Sequence, residues 1–237
     1  MAAPNLGFDP FVTWGHPRRK TFNNGLDLGV LYIGNTTIPW NGLVTVVDKA
    51  AGISDDGYYI DGIKRLNRVT PSDFEADVEA YTAPSEFSQC DGVKTIFKGF
   101  TVTNQQRIPF NMSYRTMVGN ASVGKDEGYL IHIIYNALAT PTDTIYRTKS
   151  DQSHLDTMMW KLTTSPDTSI DGVIGAHFII DSREIDPNLL IKLLKLMYGV
   201  KGVKNGRLPT PYDILDMFAN PTGFGHGPFG HIAFGRV

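Results

Sequence analysis

The chain has 237 residues, 41% of them hydrophobic, and 22 Lys and Arg against 24 Asp and Glu give a formal net charge of −2. That composition excludes disorder throughout, and the near-neutral charge argues against a general nucleic-acid binder, which carries a clear basic excess. A core of useful size needs no metal or disulfide staple at this length, and the single cysteine, Cys90, cannot close an intrachain disulfide.

Residues 1–39 scatter Pro, Gly and Asn among aromatic residues and read as an N-terminal arm. Phe11 and Trp14 are its candidate contacts to a neighbouring copy, because a free linker rarely carries such side chains. HPRRK at 16–20 reads as a solvated face or an interface contact. The N-terminus lacks a basic-then-apolar leader, and no run of about 18 apolar residues appears, so a soluble protein made in the cytoplasm is expected, with no membrane partner.

From Gly42 the dominant period is two, which predicts strands over 42–47, 58–65, 73–82, 94–101, 107–116, 128–136, 156–164 and 173–181. The expected fold is mainly β: a sandwich or barrel of about eight strands, filling residues 40–219 together with the helices that follow. In the strand over 107–116, Ile108, Phe110, Met112 and Tyr114 point one way and Pro109, Asn111, Ser113 and Arg115 the other. Pro109 cannot donate to a ladder and predicts an edge or a bulge there.

The segment DFEADVEA (73–80) places Asp73, Glu75, Asp77 and Glu79 on one face of a strand and Phe74, Ala76, Val78 and Ala80 on the other. Same-face neighbours lie roughly 6.5 to 7 Å apart, so each adjacent pair repels by about 0.6 kcal/mol in water. Such a face must border water or meet basic groups from another strand or subunit. An in-line row does not suit a glycosidase pair, which needs two acids in separate environments across a cleft.

Helical signals come late. Asp186, Pro187 and Gly199 predict the N-cap, first turn and C-cap of an amphipathic helix, with Leu189, Leu190, Leu193, Leu194 and Met197 on one face. Thr210, Pro211 and Asp213 announce a second, short helix. Residues 220–237 are rich in Gly and read as a C-terminal arm, with Phe224, Phe229 and Phe234 as its candidate contacts.

The chemical motifs are weak. GNASVGKD (119–126) has phosphate-loop spacing but carries Asp126 where Ser or Thr should stand, and a strand pattern follows it, so a hairpin loop is expected. The six histidines show no metal-ligand spacing; His132 and His177 read as core or interface residues with satisfied nitrogens. No nucleophile, cofactor or metal site is expected, and the reading is non-enzymatic.

WNGL (40–43), YYIDGIK (58–64), the acidic segment through Gly92, IPFNMSYRTMVGN (108–120), EGYLIHIIYNALATPT (127–142), WKLTTSP (160–166) and RLPTPYDIL (207–215) resemble, in this order, the major tail proteins of long-tailed bacteriophages infecting actinobacteria. The resemblance spans roughly three quarters of the chain, from Trp40 to Phe218. It implies a tail-tube subunit of the virion: hexameric rings stacked around a tape-measure protein, contacting other tail proteins and leaving a channel for DNA. On that reading Asp73, Glu75, Asp77 and Glu79 line the bore, and a wall of carboxylates offers DNA none of the Lys or Arg contacts through which it adheres. The chain departs from the resemblance in its two extensions, and removal of residues 1–39 is expected to leave a folded protein that cannot polymerise. The alternative within the virion is a tail terminator or distal-tail ring protein. From another class, a carbohydrate-binding sandwich would use Trp14, Trp40 and Trp160 as stacking platforms.

Overall fold

A computed structural model describes residues 21–49, 55–60, 63–69, 74–121, 125–142, 148, 156–165, 169–170, 173–202 and 204–219. Its strands are β1 (Thr21–Ile33), β2 (Thr36–Pro39), β3 (Leu43–Lys49), β4 (Asp55–Ile60), β5 (Ile63–Val69), β6 (Glu75–Ala80), β7 (Lys94–Phe97), β8 (Phe100–Val102), β9 (Phe110–Asn120), β10 (Lys125–Pro141), β11 (Met158–Thr164), β12 (Ser169–Ile170), β13 (Val173–Ile174), β14 (His177–Asp181), β15 (Gly199–Val200) and β16 (Lys204–Asn205). The helices are α1 (Pro187–Tyr198) and α2 (Pro211–Ala219). Eight strands form one sheet in the order β2-β1-β9-β10-β11-β6-β3, with β14 also paired to β10, and every pairing in it is antiparallel. The mainly β architecture with a flanking amphipathic helix is therefore as the periodicity predicts.

The sheet forks at a bulge in β10. Between Ile134 and Ala137 the register against β9 shifts, Asn136 takes a left-handed φ of 50°, and its backbone N–H donates to Asn111 Oδ1 at 2.8 Å. Before the bulge β10 pairs with β14, and beyond it with β11. The far edge then rolls back: Trp40 N–H donates to the Gly29 carbonyl at 2.8 Å, drawing the entry to β3 onto β1. Gly29 is required by this approach, because a Cβ there would overlap the Leu43 side chain and stand 3.0 Å from the Trp40 carbonyl oxygen.

Two cores result. Inside the roll, Leu31, Trp40, Ala76, Val78, Phe87, Phe110, Met112, Tyr114, Trp160 and Leu162 pack together. Phe87 sits 4.7 Å from Trp40 and 5.2 Å from Trp160, ring centroid to centroid, and the Trp160 indole N–H donates to Asp91 Oδ1 at 3.0 Å. On the opposite side of the sheet, Ile131, Ile133 and Ile180 meet Leu193 and Met197 of α1 and Met217 of α2. Replacing Trp160 with Ala removes the centre of the aromatic cluster and strands Asp91; a loss of about 3 to 5 kcal/mol in denaturant unfolding is expected.

The helix ends follow the sequence signals. Asp186 accepts from the backbone N–H groups of Asn188 and Leu189, and Gly199 closes α1 at φ 77°. At α2, Thr210 and Asp213 bond each other's backbone N–H reciprocally, a capping box.

Several boundaries move. Residues 21–39, read as part of an arm, are β1 and β2, and β1 lies between β2 and β9. Its alternation is hidden by two register shifts, one around Gly25 and one around Leu28, both at positive φ. The run 58–65 is not one strand: β4 and β5 are antiparallel partners on either side of Asp61–Gly62, a two-residue hairpin signal. The run 94–101 splits likewise into β7 and β8, turning at Gly99 with φ 85°. Pro109 is neither in an edge strand nor at a bulge but precedes β9, which is an interior strand. Ser113 points away from Phe110, Met112 and Tyr114, as the alternation predicts, and is fully buried because α1 covers that side; its hydroxyl and the Tyr32 hydroxyl are 3.3 Å apart, and Tyr32 also donates to the Met197 carbonyl. As expected, β9 and β10 form a hairpin around the phosphate-loop-like segment, pairing Asn120 with Lys125.

Candidate functional site: an acidic sheet face and an exposed hairpin

The strand β6 alternates as its sequence predicts: Ala76, Val78 and Ala80 are buried, while Glu75, Asp77 and Glu79 are partly exposed on the opposite face. Asp73 lies outside the described residues. The three carboxylates are flanked by β3 and β11, which place Lys49 and Lys161 on the same face. Lys49 Nζ bonds Asp77 Oδ2 at 2.6 Å, and Lys161 Nζ bonds Glu75 Oε2 at 2.8 Å. Each ammonium thus reaches diagonally past its direct cross-strand partner. Glu79 Oε1 accepts from the Thr157 hydroxyl at 2.6 Å. The hydrogen bond to Glu75, followed by its charge, holds the Lys161 pKa above the ordinary lysine value.

The like-charge row is therefore tolerated because basic groups from neighbouring strands interleave with it, one of the two solutions the sequence left open. Three carboxylates meet two ammonium groups, and one negative charge is uncompensated among the described residues of this patch. Replacing both Lys49 and Lys161 with Ala exposes the full repulsion between acids about 7 Å apart. A small loss of stability at low salt, shrinking as salt is raised, is expected in denaturant titrations.

The second feature is apolar. Among the described residues the hairpin of β7 and β8 pairs only with itself, and its side chains are exposed along its whole length. Phe97 is 72% and Phe100 57% exposed, with Ile96 and Ile108 also in solvent. The hairpin is rooted beside Cys90 and Gly92; Gly92 takes φ 76°, and a Cβ there would stand 2.8 Å from the Gln105 carbonyl oxygen. Cys90 itself is fully buried, and burial followed by the Asp91 charge pushes its thiol up to about 11, so it is an inert packing residue.

A polar cluster closes one mouth of the roll. His132 Nδ1 lies 3.1 Å from His177 Nε2, His132 Nε2 lies 3.0 Å from the Thr116 hydroxyl, and the Tyr114 hydroxyl donates to Asp48 Oδ1 at 3.2 Å. The Tyr114 ring stacks on His132 with centroids 4.5 Å apart, and Phe74 packs on His177 at 4.3 Å. Burial first, then the adjacent imidazole, pushes His132 down to about 4, and burial lowers His177 as well. Both rings are neutral near pH 7. They have partners, as expected of strand histidines, but the assembly with Asp48 had no signal in the sequence: the three residues are distant in the chain and come from β3, β10 and β14.

Other expected sites fare differently. Trp40 and Trp160 are buried, which removes two of the three sugar-stacking platforms; Trp14 lies outside the described residues. So do Phe11, Phe224, Phe229 and Phe234. Arg115 forms a bidentate pair with Asp27 at 2.6 and 2.7 Å and takes no part in the acidic face. No helix among the described residues is long and apolar enough to cross a membrane.

No protein-family model matches the chain, and neither does any curated protein. Among solved structures it is similar to the tube-terminating cap of the anti-feeding prophage, at TM-score 0.37 and 9% identity over 76% of this chain and 100% of that one. It is also similar to a chain of the extended sheath–tube complex of the PVC extracellular contractile injection system, at TM-score 0.36 and 14% identity over 65% and 88%. A third is the sheath/tube terminator of the same system, at TM-score 0.32 and 15% identity over 65% and 93%. Likenesses of this size leave the function to be argued from the chain's own residues.

Proposed function

We propose that this chain is a structural, non-enzymatic subunit of a phage-tail-like tube, closing with further copies of itself into rings. The observation that carries the reading is the β7–β8 hairpin, whose large apolar side chains project from the sheet into water. A monomer gains nothing from this exposure, whereas a neighbouring subunit that covers Ile96, Phe97 and Phe100 gains their burial. Among the described residues β2 and β3 end the main run of the sheet with one side unpaired, so backbone pairing between subunits is available. The ordered run of segments resembling long-tailed phage major tail proteins supports the same role, and with it hexameric rings, a tape-measure partner, passage of DNA and a place in the virion tail.

The role of the acidic face follows from its charge. Glu75, Asp77 and Glu79 turned towards a bore repeat around every ring, and Lys49 and Lys161 are held by the carboxylates instead of standing free to grip phosphate. The same pairing favours a second reading, the tail terminator. A bore that is only weakly anionic suits a single closing ring better than a long tube that relies on repulsion along its length. Purified chain viewed by negative stain separates the two: stacked rings or tubes support the tube subunit, and isolated rings support the terminator. Monomers at every concentration overturn both.

A further inference from the structure

The geometry points to a divalent transition-metal site, with zinc as the fitting ion, formed by Asp48, His132 and His177 at the mouth of the roll. One ligand atom from each of the three lies within 4.8 Å of the other two. The two facing imidazole nitrogens are 3.1 Å apart, and two nitrogens bound to one tetrahedral zinc stand about 3.3 Å apart, given Zn–N bonds of about 2.0 to 2.1 Å. The carboxylate needs only a short swing to complete the set, and Asp48 is exposed, held by the Tyr114 hydroxyl at Oδ1.

The groups behind the ligands are those a metal site uses. Thr116 engages His132 Nε2 from behind; with the proton on Nε2 donated to that hydroxyl, the Nδ1 lone pair points at His177. Tyr114 donates to Asp48 and stacks on His132, and Phe74 fixes the His177 ring. Two neutral imidazoles and a carboxylate form the borderline donor set that zinc takes, with a fourth position left to water. With that tautomer of His132 and no metal, His177 Nε2–H is the donor to His132 Nδ1. On binding, that proton is exchanged through solvent to His177 Nδ1, so both imidazoles stay neutral and bind through lone pairs. The ion would join β3 to β14, which share no backbone ladder, and so clip the edge of the roll to the fork. The sequence reading expected no metal, because these residues have no local spacing.

The test uses the full chain, stripped with chelator and titrated with zinc chloride by calorimetry, with magnesium chloride as a control. One equivalent of zinc should bind, and melting should rise by roughly 5 to 10 °C at a hundredfold excess over Kd. Asp48→Asn keeps an acceptor for the Tyr114 hydroxyl and should weaken zinc binding at least tenfold with little change in the metal-free melting temperature. Thr116→Val should weaken it by about tenfold or more, because the His132 ring loses the hydroxyl that orients it. Cobalt(II) should give the intense visible absorption of a four-coordinate site. Absence of zinc binding, or zinc binding and melting shifts unchanged in Asp48→Asn and in His132→Ala/His177→Gln, would overturn the assignment.

Discussion

A chain begun at Trp40 is expected to be unfolded, whereas one begun at Thr21 folds like the full-length protein. β1 is built into the sheet between β2 and β9, and it carries Val30, Leu31 and Tyr32 into the interior while β2 contributes Ile38. Burial of those four side chains contributes roughly 6 to 12 kcal/mol, which is as large as the whole net stability of about 5 to 15 kcal/mol typical of a domain. β9 would also lose its ladder to β1 along most of its length, leaving the backbone groups on that side without partners. Far-UV circular dichroism and thermal melting of the two truncations give the answer. A cooperative transition in the shorter chain would show that the sheet closes without β1. This outcome replaces the expectation, natural from the scattered Gly, Pro and Asn of the first 39 residues, that their loss affects polymerisation alone.

The second large effect concerns assembly. Phe97→Asp combined with Phe100→Asp should leave the monomer's denaturant midpoint almost unchanged, because neither ring belongs to either core. Rings should nevertheless fail to form at concentrations where the unmodified chain assembles. A buried aromatic anchor is worth about 2 kcal/mol or more per interface, roughly a thirtyfold change in association, and the proposed ring would contain one such contact per subunit. Sedimentation velocity reads the loss directly. Unimpaired assembly of the double variant would mean that the hairpin lies outside the subunit seam.

These two outcomes also mark where the sequence was informative. Period-two alternation in 75–80 and the apolar stripe and caps of 186–199 are local features, set within one element, and both were legible. β1 was not, since bulges at Gly25 and Leu28 break the alternation and burial on both faces hides the rest. Asp61–Gly62 and Gly99 are turn signals inside apolar runs, and each converts one expected strand into two. Of the acidic face, the direction of the side chains could be read, but the lysines that compensate it could not, because Lys49 and Lys161 reach it only through strand register. The Asp48–His132–His177 cluster is wholly a product of the fold.

The central claim is that copies of this chain close into a ring through the β7–β8 hairpin, with the carboxylates of β6 turned towards the opening. Cryo-electron microscopy of the assembled protein tests it most directly. The account predicts a closed ring in which Phe97 and Phe100 are buried against the next subunit and Glu75, Asp77 and Glu79 border the central channel. A map with the hairpin in solvent and those acids on the outer wall, or particles with no channel at all, would contradict it.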